Sequence, residues 1–252
     1  SGLSTPSTAL ACLPMLASAT PFATSVVSYS NLGGGIYGDP NAVLGSPTRW
    51  VQDTFNGGLN QRVAPGIGYA TWNVSPEGNP LVTTVRPGGQ ITVRFDPPIQ
   101  NIHGSEFIVF GNALIPTSQE ITHATDPDSV FVLSGPDFIE PMPVSVSSDG
   151  LIWRTFVVSP MQGADGYWPT QAFDSQGRET DFNLPVPAGL TRNQLTGLTL
   201  RQAVAKFRRS GGGTAFDLNQ VGLKTARYIR ISGNGGEVDA IARVINPTDL
   251  LK

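Results

Sequence analysis

Apolar runs of strand length, each closed off by glycine or proline, recur from one end of this sequence to the other. The segments 81–86 (LVTTVR) and 90–95 (QITVRF) flank Pro87-Gly88-Gly89, a hairpin-like turn. Segments 106–110 (EFIVF) and 129–133 (SVFVL) are apolar runs of core-strand length. Alternation over 143–147 leads into Asp149-Gly150, and 151–158 (LIWRTFVV) returns. Asp-Gly between such runs predicts direct antiparallel pairing there, with Trp153 filling the core. Late in the chain, 227–232 (RYIRIS) and 237–244 (EVDAIARV) alternate again. In RYIRIS the pattern leaves open whether the isoleucines or Tyr228 and Arg230 face outward. Helix is scarce, and 200–208 (LRQAVAKFR), ended by Ser210 and three glycines, is the one convincing stretch. The 29 Gly and 21 Pro lie between these runs and form no tract. The expectation is an all-β fold, an antiparallel two-sheet β-sandwich with less than about a tenth of its residues in helix.

At 252 residues the chain can bury a sizeable core as one domain. Charged residues make up 14%, against a usual ~25%, which fits a surface partly covered by other molecules. The net charge is −3, and basic residues cluster only at Arg208-Arg209, so no nucleic-acid footprint is present. Cys12 is the sole cysteine, so no intrachain disulfide forms.

Residues 1–38 carry no charge at all, and Asp39 is the first. Within this stretch, 9–27 reads ALACLPMLASATPFATSVV. It lacks the basic leading region of a secretory signal. Pro14, Pro21 and several Ser and Thr interrupt it too often for a membrane span of about 20 apolar residues. The remaining reading is an extended apolar arm, 1–38, ahead of a single sandwich domain, 39–252. Such an arm cannot form a stable helix alone and is an aggregation hazard in water. Leu10, Leu13, Leu16, Phe22 and Val26 are therefore expected to bury against a neighbouring subunit. In the competing arrangement the arm forms the first strands of its own sandwich.

Five blocks follow in order: GDPNAVLGSP at 38–47, GSEFIVFGNALI at 104–115, EPMPVSVSSDGLIWRTF at 140–156, GGTAFDLNQVGLKTARYIRI at 212–231 and GGEVDAIARV at 235–244. Over this span the chain resembles bacterial exported cell-surface proteins of the PEP-CTERM-associated type, whose domain is a discoidin-like jelly roll. The resemblance implies export, a secreted or cell-surface location, a jelly-roll sandwich and no established chemistry.

Catalysis is hard to build from this inventory. His103 and His123 are the only histidines, each among polar or turn residues, and no Gly-x-Ser-x-Gly elbow is present. No His or Cys cluster suits zinc. An enzyme is not expected. Carboxylates are more suggestive, with thirteen Asp against six Glu. Short acidic side chains suit turns, where they bond their own backbone, and they also suit Ca²⁺ loops. Glu237 and Asp239 sit two apart on an expected strand and so share a face. If a Ca²⁺ ion is the cofactor, these two are its first ligands, with Asp39, Asn41 and Asp217 as partners from the sandwich ends. Otherwise no cofactor is expected. Tyr167 and Trp168, in a Gly- and Asp-rich segment, suit stacking on a sugar face or packing beneath a loop.

Two functions follow. The first is a non-enzymatic extracellular structural protein that polymerises into a surface filament, tube or layer by donating its arm to another copy. The alternative is a carbohydrate-binding or adhesion module of the cell surface, with or without calcium. The course of the arm separates them.

Overall fold

The computed structural model describes residues 19–31, 37–51, 61–62, 79–121 and 125–246. Leu10, Leu13, Leu16, Cys12, Trp72 and His123 lie outside them. Twelve strands run in chain order among the described residues: β1 (Ser25–Ser30), β2 (Trp50–Val51), β3 (Gln61–Arg62), β4 (Thr83–Thr84), β5 (Gln90–Gln100), β6 (Phe107–Phe110), β7 (Val144–Ser147), β8 (Arg154–Thr155), β9 (Thr214–Phe216), β10 (Thr225–Ser232), β11 (Glu237–Val238) and β12 (Ala240–Arg243). The one α-helix among them, α1 (Leu200–Ala205), opens on a capping box in which Thr199 and Gln202 bond each other's backbone. No helix among the described residues is long and apolar enough to cross a membrane.

A five-stranded sheet, in the order β1-β5-β10-β7-β8, faces a three-stranded sheet, β12-β6-β9, and every pairing is antiparallel. The main core lies between them. Ile91, Val93 and Phe95 of β5, Val144 and Val146 of β7, and Ile229 and Ile231 of β10 meet Phe107 and Val109 of β6, Phe216 of β9 and Ile241 of β12. The all-β sandwich expected from the alternating runs is present. The register left open in RYIRIS is settled by this core, with the isoleucines inward. The outer face of the smaller sheet is apolar as well, and Phe173 and Phe182 cover Ile108, Phe110, Ala240 and Ala242. A third cluster packs Ile115, Val130, Val132 and Trp168 beneath α1.

Proline shapes the longest strand. Between Ala226↔Ile99 and Tyr228↔Arg94 the β10–β5 register slips, and this is where Pro97 and Pro98 lack the N–H a ladder needs. The carbonyls of both prolines accept from the buried Arg243 guanidinium, Nη2 to Pro97 at 2.6 Å and Nη1 to Pro98 at 3.3 Å.

The arm follows the competing course wherever it is described. β1 pairs antiparallel with β5, from Ser25↔Arg94 to Ser30↔Gln90, as an edge strand of the chain's own sheet. Phe22 bridges to Ala242 and packs on the outer-face cluster, while Val26 packs on the main core. Phe22 and Val26 thus pack, half-buried, on clusters of their own chain, and the sandwich begins before residue 39. The physical reason is that the open edge of β5 presents unpaired backbone groups, and β1 satisfies them.

Two hairpin expectations also change. The turn at Pro87-Gly88-Gly89 forms, with Gly89 N–H on Arg86 O at 2.8 Å. Its two arms then part, because β4 pairs with β11 and not with β5. β7 and β8 do pair across Asp149-Gly150, but through a wider loop, since the innermost partners are Val146 and Arg154. Asp149 Oδ1 organises that loop by accepting from Leu151 N–H, Ile152 N–H and the Ser147 hydroxyl. Trp153 is left half-buried with the Arg230 guanidinium 3.6 Å from its ring centroid, and Phe156 takes the core position instead.

Candidate functional site

Three chain segments meet at the end of the sandwich where β6 and β10 finish and β7 and β12 begin. Glu140 precedes β7, Asp165 sits in the Gly163–Gly166 turn, and Glu237 belongs to β11. Main-chain bonds clamp the first two segments together: Glu140 N–H donates to Asp165 O, and Met142 and Ala164 exchange N–H···O bonds of 2.8 and 3.0 Å. The Glu237 N–H donates to Asp165 Oδ2 at 3.3 Å. One carboxylate oxygen from each of Glu140, Asp165 and Glu237 lies within 4.8 Å of the other two.

Burial is graded across the group. Glu140 is exposed, Glu237 half-buried and Asp165 only 3% exposed. Asp165 adopts a left-handed backbone, φ 60°, which Asp tolerates better than most residues. Its carboxylate lies against glycine backbone on two sides. A Cβ on Gly111 would sit 2.3 Å from Oδ1, and one on Gly236 would sit 3.1 Å from Oδ2. Any side chain at Gly111 would therefore strike the carboxylate. Burial pushes Asp165 up to about 8, helped by the charges of Glu237 and Glu140 and opposed by the Glu237 and Ala113 amides. Glu237 is also raised, by burial first and then by Glu140, while Thr84 and Asn112 hydrogen bonds pull it down. Among the described residues no salt bridge neutralises any of the three carboxylates.

Of the five ligands expected from sequence, the structure brings only Glu237 to this point. Asp239 turns away, because β11 and β12 belong to different sheets and the chain changes partner between Val238 and Ala240. The buried Asp239 carboxylate accepts instead from Thr48 N–H at 2.9 Å and Thr48 Oγ1 at 2.6 Å, tying residue 48 to the sheet. Burial raises it to about 7 against the pull of those two bonds. Asp39 caps the 3-10 turn Pro40–Val43 by accepting from Asn41 N–H, and Asp217 caps Leu218–Val221 by accepting from Asn219 N–H. Those three residues serve turn geometry.

No protein-family model, curated protein or solved structure matches the chain. The resemblance to exported surface proteins rests on the sequence blocks alone.

The expected sugar-stacking pair is also rearranged. Trp168 is 7% exposed and meets Phe207 edge-on in the cluster under α1, with Tyr167 packed beside it. Trp168 is therefore unavailable to a ligand. The aromatic surface lies elsewhere. Val130 and Val132 point under α1, so their neighbours Phe131 and Leu133 face solvent. Phe138, 64% exposed, bonds to Leu114 in the adjacent extended segment. Glu140 and Asp165 were missed because residues distant in sequence meet only in the fold. A usable signal was the Gly-Ala-Asp-Gly turn at 163–166, facing the glycines 235 and 236.

Proposed function

We propose that the protein is a non-enzymatic module of the extracellular cell surface, a discoidin-like jelly roll that works as a monomer by adhering to glycans. The observation behind this reading is the placement of β1 in cis. A strand engaged in its own sheet is not free to complete a neighbour's. Phe131, Leu133 and Phe138 supply an exposed apolar face of the kind that stacks on sugar rings. The test is binding of the intact protein to a panel of bacterial surface polysaccharides, alongside a Phe131→Ser/Phe138→Ser variant. Binding by the monomer that falls at least about tenfold in the variant, a difference of about 1.4 kcal/mol, supports the reading. No binding to any polysaccharide, or equal binding by the variant, contradicts it.

Self-association remains a second reading because of the opposite sheet edge. Among the described residues β8 is the outermost strand on that side, and Leu151, Ile152, Val157 and Val158 beside it are exposed, Leu151 by 83%. Edges of that kind pair with other chains unless protected.

A further inference from the structure

We propose that Glu140, Asp165 and Glu237 together bind one divalent cation, and that the ion is Ca²⁺. Oxygens bound to a single Ca²⁺ at about 2.4 Å lie at most about 4.8 Å apart, so the three carboxylates are already within reach of a common ion. The second observation is the state of Asp165. Its side chain is buried and forms part of the cluster, yet Oδ1 has no hydrogen-bond partner. A buried carboxyl oxygen without a partner is costly, and a bound cation that displaces the carboxyl proton relieves it. A proton shared among the carboxyls is the competing remedy.

The chemistry of the donors selects the ion. All three are hard oxygen ligands with no His or Cys among them, which favours Ca²⁺ or Mg²⁺ over zinc or copper. Mg²⁺ keeps most of its waters and uses one or two carboxylates, whereas three converging carboxylates suit the larger ion with its six to eight ligands. The graded burial places the ion with Asp165 beneath it and Glu140 on its solvent side, so water completes the shell. Thr84 Oγ1, 3.1 Å from Glu237 Oε1, orients the third ligand. The site stands independently of glycan adhesion, since it concerns only the end of the fold.

Thermal melts of the full chain at fixed pH test this, with chelator, with millimolar CaCl₂ and with equal MgCl₂. Calcium about 100-fold above its Kd should raise the Tm by about 5–10 °C in a chain of this size, and magnesium by much less. Asp165→Asn keeps the shape of the buried group and removes its charge. It should fold, melt higher than the unsubstituted protein in chelator, and lose the calcium shift. Glu140→Gln lies on the exposed side and guards against a folding failure at Asp165; it should at least halve the shift. Calcium titration calorimetry should give one site in the unsubstituted protein and none in Asp165→Asn. No calcium shift in the unsubstituted protein, or a full shift in Glu140→Gln, overturns the proposal and leaves the carboxyls sharing a proton.

Discussion

Phe216→Ala is expected to destabilise the protein by about 3–5 kcal/mol, measured as a fall in the urea midpoint at unchanged slope. Phe216 of β9 is fully buried and stands opposite Phe107 in the β6–β9 pairing. The two rings stack with centroids 5.0 Å apart and planes 9° from parallel. Phe156, which follows the outermost strand of the other sheet, closes on Phe216 at 5.0 Å and on Phe107 at 6.0 Å. The three rings thus join the two sheets, and removing the middle one opens a void that rigid β-sheet cannot collapse to fill. Domains of ordinary stability, about 5–15 kcal/mol, lose a large share of it in one such step. Phe216→Leu should cost less because most of the volume stays. A Phe216→Ala loss below about 1 kcal/mol would mean that the sheets do not meet at these rings.

Arg192→Ala should cost about 3–5 kcal/mol, because it strands Asp137 in the interior without its counter-charge. The pair is among the most enclosed in the molecule, with side chains 8% and 5% exposed and Nε 2.7 Å from Oδ2. The guanidinium also donates to Leu133 O at 2.7 Å and to Thr196 Oγ1 at 3.2 Å, so every edge of the fork is engaged. By gripping both Leu133 and Asp137, Arg192 fixes the loop between the exposed Leu133 and Phe138. The double variant Arg192→Met/Asp137→Leu should recover much of the loss, since replacing both charges leaves neither unpaired. Equal losses in single and double variants would place the energy in packing alone.

The layers of this fold were readable because each core strand carries its own alternation. Ile91, Val93 and Phe95 face inward every second residue, and so do Ile229 and Ile231. Which strand pairs with which was not readable, because backbone hydrogen bonds carry no sequence. Thr83 and Thr84 look like the first half of a hairpin with β5, and only the tertiary fold hands them to Glu237 and Val238. The same holds for the N-terminal segment. Its lack of charge marks it as something to be buried, but the sequence does not say whether the edge it covers belongs to its own chain.

The aspartates show how a compositional signal divides. Asp39, Asp126, Asp149, Asp174, Asp181 and Asp217 each accept an N–H from a residue two ahead, which accounts for much of the skew toward the shorter side chain. Asp165 does not follow that habit. It is buried, left-handed in backbone and surrounded by glycine, and its partners Glu140 and Glu237 arrive from segments 25 and 72 residues away.

Sedimentation velocity of the intact 252-residue protein across a wide concentration range tests most directly whether β1 completes its own sheet and leaves the module to act alone. The account predicts one species near 26.6 kDa at every concentration. Species that grow with concentration into filaments or layers would contradict it.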